Sequence, residues 1–311
     1  MRLFRHWTDV PADARGGVLA LGNFDGVHRG HRHVIGTAQS AARAIGAPAG
    51  VVTFEPHPRT LFRPHDPPFR LTPLRLKIRE LQALGLDLGF VLTFDRAFSR
   101  IPAEAFVDEI LVAGLGVRHV VVGYDFVFGH DRGGTVDRLS KWGDARGFQV
   151  TVVPPAGDDG SVFSSTAVRD ALKSADPRRA AAILGRPWEI EGRVEHGDKR
   201  GRTIGFPTAN VELDDYLRPA FGVYAVRAGV DHGTGTAWHD GVANLGRRPT
   251  VGGTVERLEV HLFDYSDDLY GRHLRVQLVD FVRPERAFAG LDELKAQIAR
   301  DADAARRLLR L

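Results

Sequence analysis

The sequence predicts two domains of different fold class: an α/β domain built on a parallel sheet, followed by a six-stranded antiparallel β-barrel with a C-terminal helix. Up to about residue 185, short Val-rich apolar runs alternate with segments of helical spacing. From Trp188 onward helical spacing is scarce, and Gly and Thr separate short alternating segments. Alternating strands and helices are typical of parallel sheets, whereas successive short strands are typical of barrels. We therefore expect one domain over residues 1–185 and another over residues 186–311.

The composition limits the class of protein. The 311 residues include no cysteine, which excludes disulfides and thiolate metal sites. No run reaches the roughly 18 apolar residues of a membrane-spanning helix, and the N-terminus lacks an apolar leader segment, so a cytoplasmic protein is expected. The net charge is only +3 and the arginines are dispersed among acidic residues. That pattern favours small phosphorylated ligands over a nucleic acid or a membrane as partner, and it leaves the oligomeric state open.

The first domain should contain five strands with helices between them. The strands are expected at residues 17–20, 50–54, 88–94, 118–123 and 149–153. The helices are expected at residues 34–44, 73–84, 102–115 and 135–146, with Thr72 as N-cap and Pro73 at the first position of the second helix. In such a sheet ligands bind at the carboxyl ends of the strands, so the loops found there are the candidates for chemistry.

The loop after the first strand, LGNFDGVHRGHRH over Leu21–His33, has the layout of a phosphate site. Backbone N–H groups at a helix N-terminus stabilise an anion, and His28 and His31 add two donors on one face of the first turn. Gly30 leaves room for a nucleotide to approach the backbone. Two surface histidines at a strand–turn–helix junction are the alternative, but the flanking strand and helix favour the phosphate site. The competing motifs GxxxxGK[ST] and GxGxxG are absent.

Two further loops at strand ends carry unusual residues. Prolines in TFEPHPRTLF should hold Pro56, His57, Pro58 and Phe62 in an extended loop. The segment GYDFVFGHDRGG contains Asp125 and two phenylalanines, at positions 126 and 128. Aromatic residues more often fill a core than contact a ligand, unless the ligand is itself a flat ring system.

A third segment, FSSTAVRDAL, begins a helix with the hydroxyls of Ser164, Ser165 and Thr166. Arg169 lies three residues after Thr166 and therefore on the same helix face. Helix capping alone would explain the hydroxyls.

These segments resemble a known family. GNFDGVHRGH resembles the signature of HxGH nucleotidyltransferases, which have a Rossmann-like fold, and is closest to the bacterial bifunctional riboflavin kinase and FMN adenylyltransferase family, often called FAD synthetases. FSSTAVR resembles that family's ISSTxxR element, and GYDFVFG resembles its G-x-[DN]-F-x-F-G element, although Val127 stands where a basic residue is common. The resemblance implies catalytic roles for His28, His31 and Arg169. It also implies ATP binding by Gly22, Asn23, Phe24, Gly30, Ser164, Ser165 and Thr166, and flavin binding by Pro56, His57, Pro58, Phe62, Asp125 and Phe128.

The second half should form a compact barrel. Six alternating segments are expected as strands, at residues 188–195, 208–213, 222–228, 238–244, 257–263 and 274–281. Only the end returns to helical spacing, over Leu291–Leu309, where Leu294, Ile298 and Leu308 are among the apolar positions. This helix is predicted to pack on the barrel.

Two segments of the second half carry chemistry. In GDKRGRTIGFPTAN the glycines allow a tight loop against phosphates, although a glycine-rich hairpin with solvated charges is the simpler interpretation. A strand starting at Pro207 would point Thr208 and Asn210 to one side, where their oxygens suit Mg²⁺. In LEVHLF the alternation separates Glu259 and His261 from three apolar residues. A strand glutamate is usually just exposed, but in a barrel mouth beside Mg²⁺ it would serve as a general base.

The series GxxxGRxxGFPTAN, GVYAV, EVHLF and RPERAF resembles riboflavin kinase. The resemblance implies that Glu259 deprotonates the 5'-hydroxyl of riboflavin, and that Thr208 and Asn210 bind the metal. It further implies ATP binding by Gly197, Lys199, Gly201, Arg202 and Gly205, and flavin binding by Phe206 and Arg283.

Taken together, the resemblance implies an enzyme that phosphorylates riboflavin to FMN in the C-terminal domain and adenylylates FMN to FAD in the N-terminal domain. Its cofactor is Mg²⁺, and its small-molecule partners are riboflavin, FMN, FAD, ATP, ADP and pyrophosphate. A nucleotidyltransferase of another specificity is one alternative, although it has no need of the PTAN barrel. A flavin-binding regulatory protein is another, but retention of His28, His31, Arg169 and Glu259 argues against it.

Overall fold

The computed structural model describes residues 1–158, 161–195, 206–231, 235–250 and 253–310. The chain divides into two compact units, one made of Met1–Asp66 and Thr72–Ser164 and the other of Pro67–Leu71 and Ser165–Leu311. Within the described ranges, every helix is too short or too polar to cross a membrane.

The first unit contains a six-stranded parallel sheet with the strand order β1-β4-β3-β2-β5-β6. Its strands are β1 (Arg2–Phe4), β2 (Val18–Leu21), β3 (Ala49–Glu55), β4 (Leu88–Thr93), β5 (His119–Gly123) and β6 (Gln149–Val153). Its helices are α1 (Arg29–Ile45), α2 (Pro58–Phe62), α3 (Leu74–Ala83), α4 (Ala103–Ala105), which continues as a π-helix over Phe106–Gly114, and α5 (Val136–Arg146). Short 3₁₀ turns lie at Ala12–Ala14, Phe98–Arg100 and His130–Arg132, and β7 (Gly157–Asp158) pairs with β8 (Ser161–Val162).

Two separate apolar cores cover the two faces of this sheet. On one face, Leu19 of β2 and Phe90 of β4 pack with Ile110 of the π-helix. On the other, Val18 of β2 packs with Ile35 of α1. Strands covered on both faces consist of almost continuous apolar residues, which explains the Val-rich runs of the sequence. The predicted parallel α/β fold is therefore confirmed.

The second unit begins with two helices, α6 (Ser165–Lys173) and α7 (Pro177–Leu184). A closed antiparallel barrel follows, with the order β10-β13-β12-β11-β14-β9. Its strands are β9 (Trp188–Glu195), β10 (Ala209–Val211), β11 (Gly222–Asp231), β12 (Thr236–Thr250), β13 (Gly253–Leu262) and β14 (His273–Pro284), and the chain ends in α8 (Leu291–Leu309). The predicted six-stranded barrel with a C-terminal helix is confirmed.

Helix α8 packs on the outer face of the barrel, as its amphipathic pattern predicts. Ala302 and Ala305 of α8 are buried with Val223 of β11 and Val242 of β12. The alternate residues of these strands, such as Tyr224, face the barrel interior and are fully buried. The barrel wall therefore separates an interior core from a second core beneath α8.

The segment Pro67–Leu71 comes from the first half of the sequence but belongs to the second unit. The N–H of Arg70 donates to the carbonyl of Asp215 at 3.2 Å, and the N–H of Leu217 donates to the carbonyl of Arg70 at 2.8 Å. The indole Nε1 of Trp188, the first residue of β9, donates to the carbonyl of Leu71 at 2.9 Å. These buried hydrogen bonds tie the segment to the barrel.

Candidate active sites

The loop between β2 and α1 brings His28 and His31 into contact. Helix α1 begins at Arg29, five positions before the predicted start, so His28 is its N-cap and His31 lies in its first turn. The Nδ1 atom of His28 accepts a hydrogen bond from the N–H of His31 at 3.3 Å, and the two rings stack with centroids 3.6 Å apart. Because Nδ1 accepts this bond, Nε2 is the nitrogen that carries the hydrogen of a neutral His28 ring. Phe24 packs edge-on against His31.

Buried hydrogen bonds to Thr72 hold this loop in place. The carboxylate of Asp25 accepts hydrogen bonds from the N–H of Thr72 at 2.9 Å and from its hydroxyl at 3.3 Å. The same hydroxyl accepts from the N–H of Gly26 at 2.8 Å. Thr72 was predicted to cap α3, which is wrong: the N-cap of α3 is Pro73, without a side-chain hydrogen bond. The Thr72 hydroxyl is instead committed to the β2–α1 loop.

The packing around position 30 leaves no room for a side chain, so glycine is needed there whether or not a ligand is bound. A Cβ atom at this position would lie 2.9 Å from the carbonyl oxygen of Phe163 and 3.1 Å from the ring of His28. The guanidinium of Arg29 lies over the ring of Phe163 at 4.5 Å, and Ser164 follows directly in the same unit. Gly30 therefore permits the close packing of the histidine ring and the 163 backbone, besides any room that it leaves for a nucleotide. Gly22 is similarly close to Phe24, whose ring would lie 3.2 Å from an added Cβ.

The segment after β3 is a short helix and not the predicted extended loop. Helix α2 spans five residues, with Pro58 at its first position and His57 as N-cap. The Nδ1 of His57 accepts from the N–H of Arg59 at 3.1 Å. A proline fits the first turn of a helix because its missing N–H would have no partner there. The peptide bond between Glu55 and Pro56 is cis, and Phe62 is 64% exposed.

The loop after β5 separates its two phenylalanines. Phe128 is buried in the core against Phe106 and Trp142, whereas Phe126 is only partly buried and stacks on Phe128 with centroids 5.4 Å apart. Asp125 is exposed at the tip of the loop. Phe128 is thus surrounded by core residues, in line with the general tendency of aromatic side chains to be buried in a core.

The residues Ser165, Thr166 and Arg169 belong to the second unit, on α6. The Nε atom of Arg169 donates to the carbonyl of Phe69 at 2.9 Å, and its guanidinium lies 5.7 Å from the ring centroid of Phe69. Thr166 is exposed, and Ser165 is half-buried at the start of the helix.

A cavity of about 680 Å³ lies against the outer face of the barrel. Its wall includes Thr208, Asn210 of β10, the residues 265–270 after β13, and Leu294 and Ile298 of α8. A volume of this size is typical of sites for small molecules. The cavity is lined by residues of the second unit alone.

Glu259 lies in the wall of this cavity between two asparagines. In the strand register Glu259 of β13 is directly opposite Asn210 of β10 on one side and Asn244 of β12 on the other. Opposite residues of antiparallel strands point to the same face, with Cβ atoms about 5 Å apart. All three line the cavity. The sequence alone did not identify Asn244, because strand alternation shows which face a residue occupies but not which strands are neighbours.

This face is the outside of the barrel. Val223 and Val242 lie on the same side of their strands as Asn244, and both pack beneath α8. Leu258 and Val260, on the other side of β13, are buried in the interior. The expectation that Glu259 lies inside a barrel mouth is therefore wrong, because the site is formed between the outer wall and the segments that fold over it.

Arg283 lies in the cavity wall but is bound to α8. Its Nε and Nη2 atoms donate to the carboxylate of Asp301 at 2.9 Å and 2.7 Å, and Nη1 donates to the carbonyl of Pro284 at 2.9 Å. Asp301 is 4% exposed, and it also accepts from Gln297 at 2.7 Å. This cluster fastens the helix to the strand that borders the cavity.

The remaining predicted residues of the barrel are partly described. Phe206 lies at the cavity with its ring edge-on to His261, at a centroid distance of 5.4 Å. Thr208 immediately precedes β10, so the strand begins one residue later than the predicted segment 208–213. Tyr265, in the wall, has a hydroxyl that is buried without a hydrogen-bond partner among the described residues. The predicted ATP-binding residues Gly197, Lys199, Gly201, Arg202 and Gly205 lie outside the described residues.

Two stacked histidines at a helix N-terminus in a parallel α/β unit, and a carboxylate between two asparagines in a barrel, together suit an enzyme of phosphate-group transfer. Models of two families match the chain, FAD synthetase over residues 10–167 and riboflavin kinase over residues 184–309. The chain belongs to the bifunctional riboflavin kinase/FMN adenylyltransferase family. It phosphorylates riboflavin to FMN and adenylylates FMN to FAD, with ATP as the second substrate of both reactions.

Several relatives match over nearly the full chain. The bifunctional riboflavin kinase/FMN adenylyltransferase of Escherichia coli (strain K12) is 48% identical over 295 residues, which cover 95% of this chain and 93% of the relative. That of Pseudomonas fluorescens is 44% identical over 309 residues, which cover 99% and 98%. A crystal structure titled as a macrolide-efflux protein from Streptococcus pneumoniae matches with a TM-score of 0.87 and 31% identity, covering 98% of each chain.

Proposed function

We propose that the two reactions take place at separate sites, with adenylyl transfer assigned to a domain over residues 1–185 and the kinase to a domain over residues 186–311. The two family models support this division because they match residues 10–167 and 184–309. The sheet and the barrel also have distinct apolar cores, each of which can support a site.

For the kinase we propose Glu259 as the general base. A neutral hydroxyl needs a base, because its oxygen attacks phosphorus well only as its proton leaves. The carboxylate takes the proton of the 5'-hydroxyl of riboflavin, the oxygen bonds to the γ-phosphorus of ATP, and ADP leaves. The observation that carries this proposal is the position of Glu259 between Asn210 and Asn244 in the wall of the 680 Å³ cavity.

We propose Thr208 and Asn210 as the residues that hold Mg²⁺. Both line the cavity next to Glu259, and the side-chain amide of Asn210 makes no hydrogen bond within the part of the chain that the structure describes. A hydroxyl and an amide oxygen fit a hard cation that takes few protein ligands. The ion, when bound, neutralises charge on the transferring phosphates. Phe206 and Arg283 border the same cavity, which supports a role for them beside the flavin, with Arg283 acting while bonded to Asp301.

For adenylyl transfer we propose His28 and His31 as catalytic residues. An oxygen of the FMN phosphate attacks the α-phosphorus of ATP and pyrophosphate leaves, so the reaction needs alignment and neutralised charge but no enzyme nucleophile. The stacked imidazoles at the start of the 17-residue helix α1 support this role, because ring N–H groups and the helix N-terminus both favour anions. Gly22, Asn23 and Phe24 of the same loop, and Gly30 in the first turn of α1, are proposed to bind ATP.

The other contacts of this domain are proposed from the resemblance of their motifs. Ser164, Ser165, Thr166 and Arg169 are proposed to bind the ATP phosphates. Pro56, His57, Pro58 and Phe62 are proposed to contact the flavin, which the exposed ring of Phe62 supports because a flat ligand gains by covering it. Asp125 and Phe128 are proposed to contact it from the β5 loop, where exposed Asp125 can do so directly and Phe128 only through its stacking on Phe126.

The test uses two variants of the full chain, each in reactions started from riboflavin or from FMN with ATP and Mg²⁺, with flavins separated by chromatography. Glu259→Gln keeps the shape of the side chain but removes the base, so we expect FMN formation to fall by at least about 100-fold while FAD formation from FMN is unchanged. His31→Ala should show the converse. Loss of both activities in either folded variant would contradict separate sites.

A further inference from the structure

Lys77 is a buried charged residue with no role in the sites described above. It lies in α3, and its side chain is 0% exposed. Its Nζ atom lies 3.6 Å from Oε1 of Glu55 and donates to the hydroxyl of Thr53 at 3.4 Å. Glu55 and Thr53 are two residues apart at the carboxyl end of β3, so they point to the same face of the sheet.

The partners of Lys77 lead to two different loops. The hydroxyl of Thr53 donates in turn to the carbonyl oxygen of Asn23, in the loop that precedes α1, at 3.1 Å. Glu55 is the last residue of β3 and directly precedes Pro56 and α2. A single ammonium group therefore holds a point in the β2–α1 loop through Thr53 and the start of the α2 segment through Glu55.

Helix α3 anchors the β2–α1 loop a second time. Thr72, two residues before the first residue of the helix, binds both Asp25 and the N–H of Gly26. Two points of that loop are thus tied to α3 and its N-terminal flank, Asn23 through Thr53 and Lys77, and Asp25 with Gly26 through Thr72.

Stability alone is a poor explanation for such a residue. Withdrawing an ammonium group and a carboxylate from water is costly, and apolar residues of the same volume often serve a core as well or better. A charged pair instead fixes the relative position of its two side chains, because its hydrogen bonds form only at a particular distance and angle. Lys77 contacts residues that lead to both the β2–α1 loop, assigned above to ATP, and the α2 segment, assigned to FMN. The relative position of these two segments matters for the reaction.

We propose that Lys77 is a positioning residue for FMN adenylylation, which fixes the distance between the β2–α1 loop and the α2 segment so that the FMN phosphate meets the α-phosphorus in line. This inference rests on the assignment of those two segments to ATP and FMN. Misplacement of reacting groups by about 1 Å costs up to about 100-fold in rate. The effect should therefore appear in kcat, because each loop keeps its own contacts to its own substrate.

The test compares Lys77→Met with Lys141→Met, the same substitution at an exposed lysine of the same unit. Lys77→Met is expected to lower kcat of FMN adenylylation at least tenfold, with the KM values for ATP and FMN within about threefold of wild type. Lys141→Met should leave all three unchanged. Riboflavin kinase activity, measured in the same samples, should be the same in both variants, and thermal unfolding reports whether each is folded.

Two further variants distinguish a role of Lys77 in positioning the two segments from a role in neutralising the charge of Glu55. Lys77→Met with Glu55→Gln leaves no unpaired buried charge, so it should recover stability without recovering kcat. Thr53→Val removes the hydroxyl that joins Lys77 to Asn23 but leaves the pair of Lys77 and Glu55, and should lower kcat several-fold. If the double variant recovers kcat together with stability, or if folded Lys77→Met keeps kcat within twofold of wild type, Lys77 only balances a charge and the proposal is wrong. Adenylylation that survives in His28→Ala would refute the site assignment itself, and the role of Lys77 with it.

Discussion

His28 combines two functions in one imidazole ring. Its Nδ1 atom accepts the N–H of His31 and so caps α1, while the ring stacks on His31 in the proposed phosphate site. A cap of this kind contributes about 1 kcal/mol to stability. A simple alanine variant would therefore confuse a loss of stability with a loss of chemistry.

Asparagine separates the two functions, because it is a good N-cap but lacks a ring. His28→Ala should lower the free energy of unfolding by about 1 kcal/mol, whereas His28→Asn should lower it by only a few tenths. Both variants should lose adenylylation by roughly 100-fold. Urea unfolding and the FMN-to-FAD assay measure the two effects, and an active His28→Asn variant would show that capping is the whole contribution of His28.

Asn210 offers a residue-level test of the metal site. If its amide oxygen binds Mg²⁺, Asn210→Ala should raise the Mg²⁺ concentration for half-maximal kinase activity by about tenfold, equivalent to ~1.4 kcal/mol. Adenylylation should keep its Mg²⁺ dependence, because Asn210 belongs to the barrel cavity. An unchanged Mg²⁺ titration of the kinase would contradict the assignment.

Strand alternation was enough to predict that Glu259 shares a face with His261. The register adds that Glu259 is opposite Asn210. The spacing could not show which side of the barrel wall the residues occupy. That depends on α8, which is distant in sequence and covers the face that carries Glu259.

At the scale of elements, the junction of β14 and α8 shapes the kinase cavity. Asp301 of α8 receives Arg283, and on the same helix Leu294 and Ile298 line the cavity. Asp301→Asn weakens charge-assisted bonds that are mostly buried, and should lower the free energy of unfolding by about 2 kcal/mol. The helix then sits less firmly over the cavity, so the KM for riboflavin should rise.

The matched control for this prediction is Asp303→Asn, which removes an exposed carboxylate from the same helix. It should change neither the free energy of unfolding nor the KM. Equal effects of the two substitutions would show that the net charge of α8, and not its attachment to Arg283, is what matters.

Strands β2 to β6 were predicted to within one residue at each end, and α8 and β9 at the bounds observed, Leu291–Leu309 and Trp188–Glu195. Strand β12, in contrast, extends six residues past its predicted end at residue 244. The three-residue β1 was missed because so short a strand has no alternation to detect. Helix α2 was mistaken for an extended loop because Pro58 was taken to oppose a helix, whereas at the first helical position it favours one. Sequence rules failed here because a proline can either end a helix or occupy its first position, and the local sequence did not decide between the two.

At the scale of the molecule, the two activities should work as independent parts that share FMN. A mixture of Glu259→Gln and His31→Ala proteins contains one intact site of each kind. If FMN made by one molecule leaves and binds another, the mixture should convert riboflavin to FAD, although neither variant does so alone. A time course of the three flavins measures this, and accumulation of FMN without FAD would show that adenylylation requires FMN made on the same chain.

The segment Pro67–Leu71 is synthesised long before the unit to which it belongs. The ribosome delivers these five residues with the first half of the chain, but their hydrogen-bonding partners at Trp188, Asp215 and Leu217 emerge more than a hundred residues later. Until then the nascent chain carries this segment without its hydrogen-bonding partners. A gene cut between the two halves would leave the same segment on the fragment that lacks its hydrogen-bonding partners.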